Sequence, residues 1–167
     1  MYKFTRTVVG EFALHSSSPD VGQEHHKRFG SGVTPHNQWT LNIYTRGRFE
    51  VEIPSIAYRR EMVAGDTSLD IELAAMPPDL CIERCLDAGS QRICISPITQ
   101  GASWARQIVE LQAGSAFVAP AGHVLVVASG YIEVDSRMLE AGAAELMGDD
   151  TILRTSAPAR ALMMAIL

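Results

Sequence analysis

Two stretches of this chain read as copies of one another, and a chain that repeats itself on this scale must bury each copy in a similar way. Leu41-Asn42-Ile43-Tyr44-Thr45-Arg46-Gly47-Arg48-Phe49-Glu50-Val51 lines up with Leu125-Val126-Val127-Ala128-Ser129-Gly130-Tyr131-Ile132-Glu133-Val134, with one residue gapped before the glycine. Met62-Val63-Ala64-Gly65 then matches Leu139-Glu140-Ala141-Gly142, Ile82-x-Arg84 matches Ile152-x-Arg154, and Ile93-Cys94-Ile95 matches Met163-Met164-Ala165. The spacing falls from 83 residues at Gly47 to 77 at Gly65 and 70 at Arg84, so the first copy carries the longer loops. A competing explanation is that all small β-hairpins look alike; several blocks in one order weigh against it.

Helical periodicity is scarce. Short runs rich in Val, Ile, Leu, Thr and aromatics, separated by Gly, Pro, Asp and Ser, predict an all-β chain. The predicted strands are 5–14, 38–45, 48–53, 67–73, 80–86 and 91–96, then 105–111, 116–118, 123–128, 131–134, 144–147, 151–155 and 161–167. Residues 15–35 are polar and rich in Gly, Ser and Pro, which predicts a long loop or lid, with a short helix over 22–28 as the alternative. The runs 123–128 and 161–167 are apolar without alternation, the pattern of strands buried on both faces. Their second face needs a partner layer, either the other half of the chain or a second copy; a homodimer or higher closed oligomer is expected.

Composition excludes several classes. With 47% apolar and 20% charged residues the chain can bury a core, and its net charge of -5 opposes a nucleic-acid surface. The basic clusters, Lys27-Arg28 and Arg59-Arg60, are only pairs. Lys3, Arg6, Glu11 and His15 interrupt the first residues, so no signal peptide is expected. The apolar stretch at 124–128 is too short to cross a bilayer, so no membrane partner is expected. Three cysteines without a CxxC pair suit a reducing, cytoplasmic setting.

The turn residues carry a resemblance. The order Gly47…Gly65-Asp66…Pro77-Pro78, repeated as Gly130…Gly142-Ala143…Gly148-Asp149 with a Pro120-Ala121-Gly122-His123 lead-in, resembles the cupin superfamily. The resemblance implies a duplicated cupin-like β-barrel, a bicupin of the double-stranded β-helix type, a form that includes the pirins. Its N-terminal half would be residues 1–98, and its minimal C-terminal half 99–167. Cupin enzymes hold a divalent metal through H-x-H, an acidic residue three or four positions on, and a third His. The matching place here reads His36-Asn37-Gln38, with Asn42 at the acidic position and Leu80-Cys81-Ile82 where the third His would fall. In the second copy His123 stands alone. The expectation is therefore a protein with no metal cofactor that binds a small molecule or a protein partner, alone or as a self-assembling subunit. The alternative is a cupin enzyme, isomerase or dioxygenase, holding a divalent transition metal through atypical ligands.

Other chemistry-bearing groups are weaker candidates. His25 and His26 are adjacent, so they point to opposite sides of an extended chain and do not easily share an ion. A hairpin of 80–86 with 91–96 would place Glu83 opposite Cys94, and Cys81, Cys85 and Cys94 on one face, as small buried hydrophobes. No nucleophile elbow or phosphate loop occurs. Asp149-Asp150 sits at a turn, Glu50 and Glu52 alternate with apolar residues and should face solvent, and Trp39 and Trp104 read as core or interface. Between 36 and 45, a polar even stripe of His36, Gln38, Thr40, Asn42 and Tyr44 alternates with Asn37, Trp39, Leu41, Ile43 and Thr45. If the resemblance holds, His36, Gln38, Asn42 and Tyr44 line a mouth suited to a neutral or weakly anionic small molecule, with 15–35 as its lid. The alternative is that the even stripe faces water.

Overall fold

The computed structural model describes residues 2–29, 40–69, 79–99 and 101–167. A first set of strands comprises β1 (Thr5–Val9), β2 (Phe12–Ser17), β3 (Glu24–Phe29), β4 (Leu41–Arg46), β5 (Arg48–Ile53), β6 (Tyr58–Val63), β7 (Thr67–Leu69), β8 (Asp79–Cys85) and β9 (Gln91–Pro97). A second set comprises β10 (Trp104–Leu111), β11 (Ala116–Ala119), β12 (Val124–Ser129), β13 (Tyr131–Val134), β14 (Arg137–Glu140), β15 (Ala144–Leu146), β16 (Thr151–Arg154) and β17 (Ala159–Ile166). Among the described residues no helix is long and apolar enough to cross a membrane.

The first set forms two sheets, β1-β2-β9-β4-β7 and β3-β8-β5-β6. The second forms β10-β17-β12-β15 and β11-β16-β13-β14. Adding eight to each strand number turns β2-β9-β4-β7 into β10-β17-β12-β15 and β3-β8-β5-β6 into β11-β16-β13-β14, so strand pairing repeats along the chain.

Register refines the match between the copies. Tyr44 pairs with Arg92 and Asn42 with Cys94; in the second set Val127 pairs with Ala161 and Leu125 with Met163. Both β4 and β12 bulge just before their turn glycine, between Tyr44 and Arg46 and between Val127 and Ser129. The 83-residue spacing thus runs through β4 without the gap the sequence comparison inserted. Cys94 corresponds to Met163, one residue from the predicted match. That slip matters, because moving a strand by one residue sends every side chain to the opposite face. Gly47 turns at φ 66°, and a Cβ there would lie 2.0 Å from the Ser90 Oγ, so only glycine fits.

Three predicted local elements are corrected. The single strand over 5–14 is the hairpin β1–β2, turned at Gly10 with φ 56°. The predicted lid over 15–35 is a loop only over 18–23 where it is described: the rest holds the end of β2 and the whole of β3, which pairs with β8 from Glu24↔Arg84. Its polarity misleads because β3 is an edge strand whose outward residues are charged. Arg84 binds Glu24 at 2.6 Å and Glu50 at 2.7 Å, and His26 meets Glu24 at 2.8 Å. The expected hairpin of 80–86 with 91–96 does not form either. Residues 87–90 carry the chain from one sheet to the other, with Leu86 N–H donating to the Arg48 carbonyl, so Glu83 and Cys94 lie in different sheets.

Alternation decides where the cores sit. Phe12, Leu14, Leu41, Ile43, Ile93 and Ile95 project from one face of the first sheet onto Trp104, Val124, Val126, Leu162 and Met164 of the second set. The opposite face of β12 and β17, through Leu125, Val127, Ala161 and Met163, packs on Ile132, Val134 and Leu153. The two-sided burial of 123–128 is therefore met within one chain. Because both sets share the first core, one cooperative urea transition is expected. Ile43→Ala should lower unfolding free energy by about 2–5 kcal/mol and keep the transition single.

Candidate functional site

The faces of β2, β9 and β4 that turn away from the shared core carry Ala13, His15 and Ser17, then Arg92, Cys94 and Ser96, then Asn42 and Tyr44. The sheet facing them contributes His25, Cys81, Glu83 and Cys85 beside Phe49 and Met62. The space between these sheets is thus lined largely by polar groups.

Its centre is a buried ionic network. Glu83 and Arg92 are only 6% and 4% exposed, with the Arg92 Nη1 3.4 Å from Glu83 Oε1. The Tyr44 hydroxyl donates to Glu83 Oε2 at 2.6 Å, and Arg92 Nη2 donates to Asn42 Oδ1. Asn42 in turn donates to the Ser68 hydroxyl at 3.4 Å. Removing a charge from water is costly unless it is paired and hydrogen-bonded, which these partners achieve. Residues 2–4 close over the network. Tyr2 donates to the Glu83 carbonyl at 3.4 Å and stacks on His25 at 5.4 Å, while the Phe4 ring lies 5.6 Å from the Arg92 guanidinium carbon.

Burial and the adjacent Glu83 carboxylate hold the Tyr44 phenol well above its ordinary value, and Tyr2 is raised for the same two reasons.

Of the four predicted ligand-binding residues, Asn42 and Tyr44 are buried and meet in this network. His36 and Gln38 lie outside the described residues, as does Trp39. For Asn42 and Tyr44 the water-facing alternative is overturned: the odd residues Leu41 and Ile43 face the second set, which leaves the even ones facing inward. Glu83, Arg92 and Ser17 were missed as site residues. The signal lay in the repeat, since correct register sets Glu83 against Leu153, Arg92 against Ala161, Tyr44 against Val127 and Asn42 against Leu125. These four polar residues each correspond to an apolar residue.

Among the described residues no three His, Cys, Asp or Glu side chains converge so as to hold a metal ion. The carboxylate at the centre is already ion-paired, and the guanidinium beside it repels a second positive charge.

No family model matches the sequence, and no curated protein matches it significantly. Solved structures do match the fold. A Cupin 2 conserved barrel domain protein from Leptotrichia buccalis is similar with a TM-score of 0.53 and 12% identity, covering 100% of this chain and 89% of that one. The chain has the cupin fold. Two further cupin-fold comparisons agree along nearly its whole length. Protein Ylba from E. coli gives a TM-score of 0.61 at 10% identity, covering 98% of this chain and 82% of that one. Oxalate decarboxylase from Bacillus subtilis gives 0.52 at 9% identity, covering 93% of this chain and 68% of that one.

The raised Tyr44 value has a pH consequence. A folded phenol that holds its proton more tightly than the unfolded one contributes stability that is complete below the unfolded value, about 10. That stability is lost as pH rises toward the folded value. Between pH 10 and 12, Tyr44→Phe should lose less stability than the parent, read from urea midpoints at each pH; equal losses would show that Tyr44 ionises as freely folded as unfolded.

Proposed function

We propose that this cupin-fold protein is a duplicated, bicupin-like chain, with halves at 1–98 and 99–167, that acts by binding a small molecule between the two sheets of its first half without a resident metal. The duplication is supported by the eight-strand offset in pairing and by the two turn glycines. The binding role is supported above all by the ionic network of Glu83, Arg92, Tyr44 and Asn42. Its counterparts in the second half, Leu153, Ala161, Val127 and Leu125, make an ordinary apolar core. One architecture thus folds with either lining, so the polar version is not demanded by the fold. Concave sites that fix a ligand by a few convergent polar groups have this composition.

The alternative, a metal-dependent enzyme, would align this chain with oxalate decarboxylase, the enzyme named among its structural neighbours. The charge arrangement favours the metal-free reading. A guanidinium at the centre of the site stabilises the Glu83 carboxylate that a metal would need and raises the electrostatic cost of a cation there.

Elemental analysis and native mass spectrometry of protein purified without an affinity tag test this reading. The expected result is less than a tenth of an equivalent of iron, manganese, nickel or zinc, and a co-purifying small molecule that disappears in Arg92→Met. One equivalent of a transition metal, retained in Arg92→Met, would reverse the assignment.

A further inference from the structure

We infer that the first half selects an uncharged, donor-rich small molecule, one bearing neighbouring hydroxyl or amide N–H groups, and that Ser17 and Glu83 are its contacts. The inference rests on the small-molecule reading above. Ser17 ends β2 and stands in register opposite Arg92, on the face that turns away from Phe12 and Leu14. It is 3% exposed, yet its hydroxyl has no hydrogen-bond partner among the described residues. Glu83 Oε1 is another such atom in the same space: it lies 3.4 Å from the Arg92 nitrogen, but no donor is aligned on it. Buried polar atoms without partners are rare in folded proteins, and each points to a group that completes it.

The second half argues against a purely structural serine. β9 corresponds to β17 and β2 to β10, so Ser17 opposite Arg92 corresponds to Val109 opposite Ala161, and Val109 belongs to the apolar core there. The fold accepts an apolar residue at this place.

The two atoms define what they accept. Glu83 Oε1 only accepts hydrogen bonds, so the ligand must donate to it, while a serine hydroxyl both donates and accepts. Formal charge on the ligand is disfavoured because Glu83 and Arg92 already neutralise each other. An incoming carboxylate or ammonium would have to break that pair or remain unbalanced in a desolvated space. A polyol or a primary amide satisfies both atoms without disturbing the ion pair.

Calorimetry on the full chain with xylitol and its carboxylate counterpart xylonate tests the class of ligand, and thermal unfolding of the ligand-free protein tests Ser17. Xylitol is expected to bind saturably and at least tenfold more tightly than xylonate, and to lose at least tenfold in both Ser17→Ala and Glu83→Gln. Ligand-free Ser17→Ala should melt roughly 2–4 °C higher, because the change removes a buried hydroxyl that has no partner. A fall in Tm on Ser17→Ala would overturn the role of Ser17, since it would mean that the protein or a fixed water already holds the hydroxyl. Tighter binding of xylonate would overturn the uncharged class and leave the small-molecule reading standing. Saturable binding of neither probe would overturn this inference as well. The small-molecule reading itself is decided by the mass spectrum of the untagged protein.

Discussion

The packing of one sheet of the first half on one sheet of the second is the constraint from which the rest of the structure follows. Ile43, Ile93 and Ile95 pack with Val124, Val126 and Leu162 in one buried core. A strand has only two faces. Once the odd residues of β4 and β9 are committed to this contact, Asn42, Tyr44, Arg92 and Cys94 have nowhere to go but the space inside the first half. The site is therefore a consequence of how the halves dock, and the bulges that end β4 and β12 fix the register that makes it so.

The two halves resolve the same geometry in opposite ways. In the second, Leu125, Val127, Leu153, Ala161 and Met163 fill the space with apolar side chains and no charge needs a partner. In the first, a carboxylate and a guanidinium are withdrawn from water and held by a phenol and an amide. Such an arrangement contributes little net stability compared with a hydrophobic filling, since desolvation offsets most of the Coulomb attraction. The ring of Phe4 over Arg92, with Tyr2 against Glu83, seals the charged network on the side of the N-terminal segment.

Much of this was legible in the sequence, and the failures have physical causes. Turn glycines are informative because only they adopt positive φ without strain, and Gly47, Gly65, Gly130 and Gly142 all take positive φ at the expected turns. The unalternating run at 124–128 correctly announced strands buried on both faces. The polar segment holding β3 was misread because an edge strand can be solvated on its outer face and still pair fully through its backbone. Glu83 and Arg92 were missed since alternation says which face a strand residue occupies but not what it meets. Their partnership spans two sheets, and no spacing along the chain encodes a contact of that kind.

The central claim is that the polar lining of the first half serves binding and not folding, and a double-mutant cycle at the ion pair tests it most directly. Glu83→Leu and Arg92→Ala install the second half's residues, and unfolding free energies of the parent, both single variants and the double variant are measured in urea. The account predicts that each single change costs about 3–5 kcal/mol, by stranding a buried charge, and that the double variant recovers to within about 1 kcal/mol of the parent. A double variant as unstable as the sum of the two single changes would contradict it, because the network would then be part of what holds the first half together.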